Sequence, residues 1–405
     1  MDEEKFNEEN ISNLIRNFLT LRYDPFQKPV LPILNSNDFD PINQINTSFV
    51  EQTLNNSVLE NLQNTNDITL SLSGGIDSTL VLATIRIILP KLNINAISIK
   101  FSDSVDETPI AKNIADFFEA QHETIFVENY LRELPAAISI VGLPFWDIHW
   151  YYIVKHAKNK SNFLASGDGG DELFGGYVFR YSKFLSLINN NSTTQEKIRA
   201  YLSCHERDWI PNQEQIFNKK SKFTWEKIYS IFEPFFENSL SPLNQVFLAD
   251  YNGKLLYNFS IISNKINNFF DVNSVAPILD PKLISYASHL PPESKYDKNK
   301  NLGKLPLREL LSKFNCDNLV SKEKLGFSVN TLNLWNSIGK EQCVSFLDKS
   351  RLVEDGWINK EWISTNIKKQ ELNIRHVNKF LGLLSLEIWY RIFITKEFDK
   401  KTILS

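Results

Sequence analysis

Two short stretches of this chain gather residue types that chemistry needs. The first is Ser73-Gly74-Gly75-Ile76-Asp77-Ser78: two adjacent glycines, two hydroxyls and a carboxylate in six positions. Successive N–H groups in such a turn form an anion-binding nest, and a helix starting there adds its positive end. Ser73 and Ser78 can donate to phosphate oxygens. Asp77 would place an anion beside phosphates, which Mg²⁺ resolves, because a carboxylate plus phosphate oxygens is an ordinary site for that ion. The loop has neither the GxxxxGK[ST] of a Walker A loop nor the GxGxxG of a dinucleotide fold. A tight turn with Asp77 capping a helix is the plainer alternative. The second stretch runs Ser166-Gly167-Asp168-Gly169-Gly170-Asp171-Glu172-Leu173-Phe174-Gly175-Gly176-Tyr177. Three acids within five positions repel one another, and a metal or a proton-transfer role would compensate. Asp171 could share a metal with Asp77, and Asp168 could act as a general base. The alternative is a Gly/Asp-rich solvent loop.

Glycine usage points to the same places. Only 14 of 405 residues are glycine, and seven of these lie in Gly74–Gly75 and Gly167–Gly176. Glycine serves where backbone must approach something closely, so both stretches are expected to touch a ligand. The rest of the composition is that of an ordinary globular protein, 42% hydrophobic and 23% charged. A net charge of −4 argues against a large nucleic-acid footprint. Cys204, Cys316 and Cys343 form no CxxC pair, so neither a disulfide framework nor a structural zinc site is implied. The acidic start Met1-Asp2-Glu3-Glu4-Lys5 does not read as a signal peptide, no apolar run is long enough to span a membrane, and a cytoplasmic location is expected.

The elements that must carry these stretches alternate. A β-rich run, Asp67–Leu72, leads into the first motif, and an apolar helix, Thr79–Leu89, leaves it. Strands are expected at Ala96–Phe101 and His122–Val127, helices at 49–62, 109–120 and 150–158. The run Phe163-Leu164-Ala165 leads into the second motif. This order predicts an α/β fold, a parallel sheet with helices on both faces, with ligands beyond the carboxyl ends of the strands. After residue 185 the pattern is expected to stay helical, with Leu381, Leu384, Ile388 and Trp389 marking a late buried helix. Residues 1–48 are expected to form a surface arm. Residues 49–405 would be one domain, with an α/β core over 49–185 and a helical part over 186–405.

The first motif resembles the pyrophosphate loop of the ATP pyrophosphatases that release AMP and pyrophosphate. Both motifs in this order, about ninety residues apart, resemble the synthetase domain of the asparagine synthetase family. Supporting matches are Pro144-Phe145-Trp146-Asp147, Pro277-Ile278-Leu279-Asp280, Gly303-Lys304-Leu305-Pro306-Leu307-Arg308 and Lys324-Leu325-Gly326-Phe327, and the resemblance covers about 49–395. It implies an adenine nucleotide alpha hydrolase-like fold. It also implies an ATP- and Mg²⁺-dependent ligase that activates a carboxylate, with aspartate the leading case, as an acyl-adenylate for attack by ammonia or another amine. On that resemblance Ser71, Leu72, Ser73, Gly74, Gly75, Asp77 and Ser78 would hold ATP and its pyrophosphate. Ile99 would lie against the adenine, and Ser166 and Gly167 near the α-phosphate. Asp77 and Asp171 would ligate Mg²⁺, Lys304 would be the catalytic lysine, and Asp168 would take a proton. Gly169, Gly170, Asp147 and Asp280 would border the substrate. His122 is expected to be structural, and His149 to pack in an aromatic-rich helix, with a place lining the substrate pocket as its alternative.

Two departures bear on function. The family's glutaminase domain is not found ahead of residue 49, so nitrogen would come from free ammonia, a separate glutaminase or another amine. The family's charged stretch before Pro277 reads here as Asn264-Lys265 and Asn273-Ser274-Val275, which puts aspartate in doubt, because buried charges need partners. Expected partners are therefore a small carboxylate, ammonia, a separate glutaminase and a second copy as homodimer, with no nucleic acid and no membrane. Competing readings are a pyrophosphatase acting on another amino acid, a peptide or tRNA, and a non-catalytic paralogue.

Overall fold

The computed structural model describes residues 6–39, 46–101, 106–321, 329–399 and 402–404. The chain opens with α1 (Glu8–Leu21) and α2 (Thr47–Leu62), followed by β1 (Asp67–Ser71), α3 (Ile76–Ile88), β2 (Asn93–Phe101), α4 (Thr108–Phe117) and β3 (Gln121–Val127). Then come α5 (Leu134–Val141), α6 (His149–Ala157), β4 (Phe163–Ala165), α7 (Gly170–Phe174) and α8 (Val178–Leu187). A further strand, β5 (Asn273–Val275), completes a five-stranded parallel sheet of order β3-β2-β1-β4-β5.

Burial follows position in the sheet. Central β1 has both faces covered, and Ile68, Thr69 and Leu70 are fully buried, as expected of a parallel strand between helical layers. Edge strand β3 leaves Phe126 exposed. Helix α3 is buried from Ser78 to Ile85, because it is covered by the sheet, by α2 and by the helix Leu305–Lys313.

The strand order reverses at β1. From β1 the chain builds outward through β2 to β3 on one side, and β4 and β5 fill the other. β1 and β4 are paired neighbours, Thr69 opposite Leu164 and Leu70 opposite Ala165. Both glycine motifs therefore leave adjacent strand ends at the topological switch point, where open α/β sheets bind ligands.

Three features differ from the sequence reading. The region after 185 is not helical throughout, since β5 belongs to the sheet and two short strands pair at Tyr296–Asp297 and Leu302–Gly303. Three residues give too short a run for periodicity to register. Residues 6–39, within the expected arm, are not a surface arm either. Ile15, Asn17 and Thr20 on α1 are fully buried, and α1 packs on the long helix Ile374–Phe393. Polar Asn17 and Thr20 hide that burial in the sequence; Asn17 Nδ2 donates to Asp24 at 2.9 Å and Thr20 Oγ1 to the Arg16 carbonyl at 2.8 Å. Third, α3 begins at Ile76, inside the first motif, so Asp77 and Ser78 sit on its first turn. The late helix is as expected, with Leu381, Leu384, Ile388 and Trp389 fully buried. Among the described residues, no helix is long and apolar enough to cross a membrane.

Candidate active site

The first motif is a turn held by its own hydroxyls. Ser73 N–H donates to Ser78 Oγ at 3.1 Å, the two Oγ atoms are 3.0 Å apart, and Gly75 N–H reaches Ser73 Oγ at 3.2 Å. Gly75 stands at the N-cap of α3 and has no side chain to cap it. The strand leading in is pinned by the Ile97 carbonyl, which accepts from Leu72 N–H at 2.8 Å, and by Ser98 Oγ, which donates to the Leu72 carbonyl at 2.7 Å. His122 Nε2 lies 2.9 Å from Ser98 Oγ, a structural position. Ile99 is buried in β2. Glu107, unnoticed in the sequence, is buried beside the loop; burial raises its pKa and the Gly74 amide opposes that rise.

The second motif folds directly onto the first. Its glycines are small because protein, not empty space, surrounds them. A Cβ on Gly167 would stand 2.6 Å from the Ser78 nitrogen, and one on Gly170 would stand 2.4 Å from the Asp77 carboxyl carbon. A Cβ on Gly176 would stand 1.8 Å from Asp171 Oδ1 and 2.5 Å from Lys304 Cε. Gly169 takes φ +90° at the N-cap of α7, which puts Asp171 on that helix's first turn.

Lys304 closes the group. Its backbone N–H donates to the Phe174 carbonyl at 2.9 Å, and the preceding Gly303 lies so close to Gly175 that a Cβ there would be 2.0 Å from its carbonyl oxygen. The ammonium then lies 2.5 Å from Asp77 Oδ2 and 2.8 Å from Asp171 Oδ1. Lys304 is only 8% exposed. Burial alone would lower its pKa, but the two carboxylates more than reverse this and hold it charged above its ordinary value. Three residues singled out from distant parts of the sequence thus meet at one point.

Asp77 and Asp171 converge on a single positive centre, so the same oxygens can serve a dication. Among the described residues no group of three or more His, Cys, Asp or Glu side chains could hold a metal. Two carboxylates fit Mg²⁺, which keeps waters and takes substrate phosphate oxygens for its remaining sites.

A second cluster flanks the first. Ser166 Oγ donates to Asp168 Oδ2 at 2.9 Å, and burial raises the Asp168 pKa against the opposing pull of that bond and of His149. His149 Nδ1 lies 2.8 Å from Asp147 Oδ1, which also accepts from Tyr130 OH at 2.6 Å. Burial would lower the His149 pKa, but Asp147, with Asp168 beyond it, raises it. His149, expected to pack in a helix or else to line the substrate pocket, is thus linked to two expected site acids. Tyr177 OH donates to Glu172 at 2.5 Å under the Arg180 guanidinium, 4.0 Å above the ring.

The Asp280 carboxylate caps the helix Pro281–His289, accepting from Lys282 N–H at 2.8 Å. Lys265 donates to the Val141 carbonyl at 2.6 Å, and Asn273 opens β5 beside Phe163, at the strand end away from the motifs. Lys324-Leu325-Gly326-Phe327 lies outside the described residues.

The asparagine synthase family model matches residues 50–391. Asparagine synthetase [glutamine-hydrolyzing] 1 of Bacillus subtilis is 25% identical over 357 residues, which cover 74% of this chain and 56% of that protein. A putative asparagine synthetase [glutamine-hydrolyzing] 2 of Methanocaldococcus jannaschii is 38% identical over 112 residues, 26% of this chain and 22% of that one. The chain spans about half the length of the first of these relatives. A solved NMN synthetase from Francisella tularensis shares 14% identity over 51% of this chain and 95% of that one at a TM-score of 0.28, an overlap too slight to argue from. With both glycine motifs and their lysine inside a family match that takes in most of its length, this chain belongs to the asparagine synthase family.

Proposed function

We propose that this chain is an AMP-forming amide ligase, with the conversion of aspartate to asparagine as its leading case. The observation that carries the reading is the Lys304 ammonium seated between Asp77 and Asp171, where β1 and β4 end together. A carboxylate oxygen of the substrate attacks the α-phosphorus of ATP, the bond to the β-phosphate breaks, and pyrophosphate leaves. The nitrogen of ammonia then attacks the acyl carbon of the adenylate, its bond to AMP oxygen breaks, and the nitrogen gives up a proton.

The residues divide this work. Ser73, Gly74, Gly75 and Ser78 offer hydroxyls and amides to the pyrophosphate at the α3 N-terminus. Lys304 stabilises charge as it builds, and a preorganised cation in a water-poor site is worth more than one in water. Bound Mg²⁺ would neutralise phosphate oxygens, held by Asp77 and Asp171. Asp168 accepts the proton from the attacking nitrogen; its raised pKa makes it a better base than an ordinary aspartate. The names of the relatives include glutamine hydrolysis; in this reading the nitrogen donor is ammonia, free or delivered by a glutaminase, or another amine, in the cytoplasm.

The test is exchange of labelled pyrophosphate into ATP with Mg²⁺ and aspartate. Exchange that needs both supports the reading. If aspartate gives none and another carboxylate does, asparagine synthesis is wrong and the ligase class stands.

A further inference from the structure

Arg22 lies ahead of the residues that match the family, 50–391, yet its side chain reaches the candidate substrate side. It stands at the C-cap of α1 with φ +67°, a conformation that glycine adopts without strain. The position nevertheless carries a long side chain. Its backbone is fixed from both directions: its N–H donates to the Phe18 carbonyl at 3.1 Å, and its carbonyl accepts from Asn258 Nδ2 at 2.6 Å. Strained backbone held this firmly is a reason to look for a function.

The guanidinium lies over Trp146, 5.0 Å from the ring centroid. It has two anionic neighbours, Asp147 Oδ2 at 3.8 Å and Asp208 Oδ1 at 3.9 Å. Both separations exceed hydrogen-bond length. Asp208 is shared with Lys254, and the planar fork of Arg22 keeps donors for a carboxylate, the partner that geometry suits. Asp147 is arranged in the same way: its Oδ1 is taken by Tyr130 and His149, and its Oδ2 faces Arg22 at that long distance. Both side chains reach solvent, Arg22 at 29% and Asp147 at 36% exposure, in a cleft walled by Phe18, Pro144 and Trp146. His149 joins this cleft to the reaction side, standing between Asp147 and Asp168.

We propose that Arg22 and Asp147 read the head group of an α-amino acid, the guanidinium taking its α-carboxylate and the Asp147 carboxylate its α-ammonium. A guanidinium whose two anionic neighbours stand beyond hydrogen-bond length, beside a carboxylate whose Oδ2 is at the same remove, matches a zwitterion. Binding exchanges one long ion pair for two close ones and leaves the net charge of the cleft unchanged. The inference rests on the ligase reading above and deepens it. It supplies a head-group partner from a segment outside the family match, where Lys265 and Asn273 offer none.

The experiment uses the full chain and three acids: L-aspartate, β-alanine (aspartate without its α-carboxylate) and succinate (aspartate without its α-ammonium). Each is assayed in ATP–pyrophosphate exchange with wild type, Arg22→Gln, Arg22→Lys and Asp147→Asn. Wild type should show a KM about 10- to 100-fold higher for either analogue than for aspartate, the span of a lost charge-assisted bond. Arg22→Gln should raise the KM for aspartate by a similar factor and leave that for β-alanine and for ATP unchanged, with Arg22→Lys recovering part. Asp147→Asn should spare succinate in the same way. Equal effects of Arg22→Gln on aspartate and β-alanine would overturn the proposal. Should the variants fail to fold, a wild type that does not discriminate among the three acids overturns it alone. Exchange supported only by acids without an α-amino acid head group overturns the inference and spares the ligase; exchange with no carboxylate at all removes both.

Discussion

Gly176→Ala separates two reasons for a glycine at this site. A Cβ at this position would stand 1.8 Å from Asp171 Oδ1, 2.8 Å from Asp171 Cγ and 2.5 Å from Lys304 Cε. Carbon and oxygen approach to roughly 3.3 Å without bonding. The Asp171 oxygen must therefore move by roughly 1.5 Å, taking it out of reach of the ammonium it now meets at 2.8 Å. A hydrogen bond to a charged group is worth about 1.5–3 kcal/mol, and overpacking costs about 1–3 kcal/mol. These overlap, because moving Asp171 relieves part of the clash, and the expected loss of stability is about 2–4 kcal/mol. Urea unfolding of wild type and variant measures it, and pyrophosphate exchange should fall with it. Gly382→Ala is the control: it lies within the helix Ile374–Phe393, where a Cβ would meet only Leu19 Cδ2 at 3.4 Å, so alanine should stabilise by about 0.5–1 kcal/mol. If Gly176→Ala unfolds like wild type and only weakens ATP binding, the glycine serves the ligand and not the interlock of Asp171 with Lys304.

Lys304→Met leaves Asp77 and Asp171 facing each other without their cation, and should cost about 3–5 kcal/mol in chemical denaturation, the cost of breaking a buried pair; adding Asp171→Asn should recover part of it. Asp168→Asn should split the reaction, keeping aspartate-dependent pyrophosphate exchange while amide formation is lost, as read by asparagine yield. The same variant should melt higher than wild type at neutral pH. Burial raises the Asp168 pKa in the folded state, so its ionised form costs stability above that pKa; the advantage of Asn should shrink as pH falls through the raised value and vanish below about 3.9. Asp280→Ala should lose a helix cap, about 1 kcal/mol in thermal or urea melts, with exchange unaltered.

The glycine-poor composition pointed to two stretches that the fold packs onto each other, where protein contacts account for several of the glycines. Gly167, Gly170 and Gly176 are small because Asp77, Ser78, Asp171 and Lys304 crowd them. Most of this crowding joins residues about ninety or more positions apart and leaves no local trace. Asp77, Asp171 and Lys304 were legible because each sits within a short motif. β1 and β4 were legible because an apolar run ends at each motif, whereas β5 is too short to show a period. Arg22 was missed because it neighbours no motif and reaches Asp147 only once α1 has packed on the long C-terminal helix. Asp280, expected beside the substrate, caps the helix Pro281–His289, and an acid after a Pro-containing turn carries both patterns.

The central claim is that a substrate carboxylate attacks the α-phosphorus of ATP. Aspartate labelled with ¹⁸O in its side-chain carboxylate, incubated with the protein, ATP, Mg²⁺ and ammonia, tests it in one measurement. Mass spectrometry should find one ¹⁸O in the phosphate of AMP and none in pyrophosphate. Label in inorganic phosphate with ADP as the nucleotide product, or AMP formed without label, would contradict it.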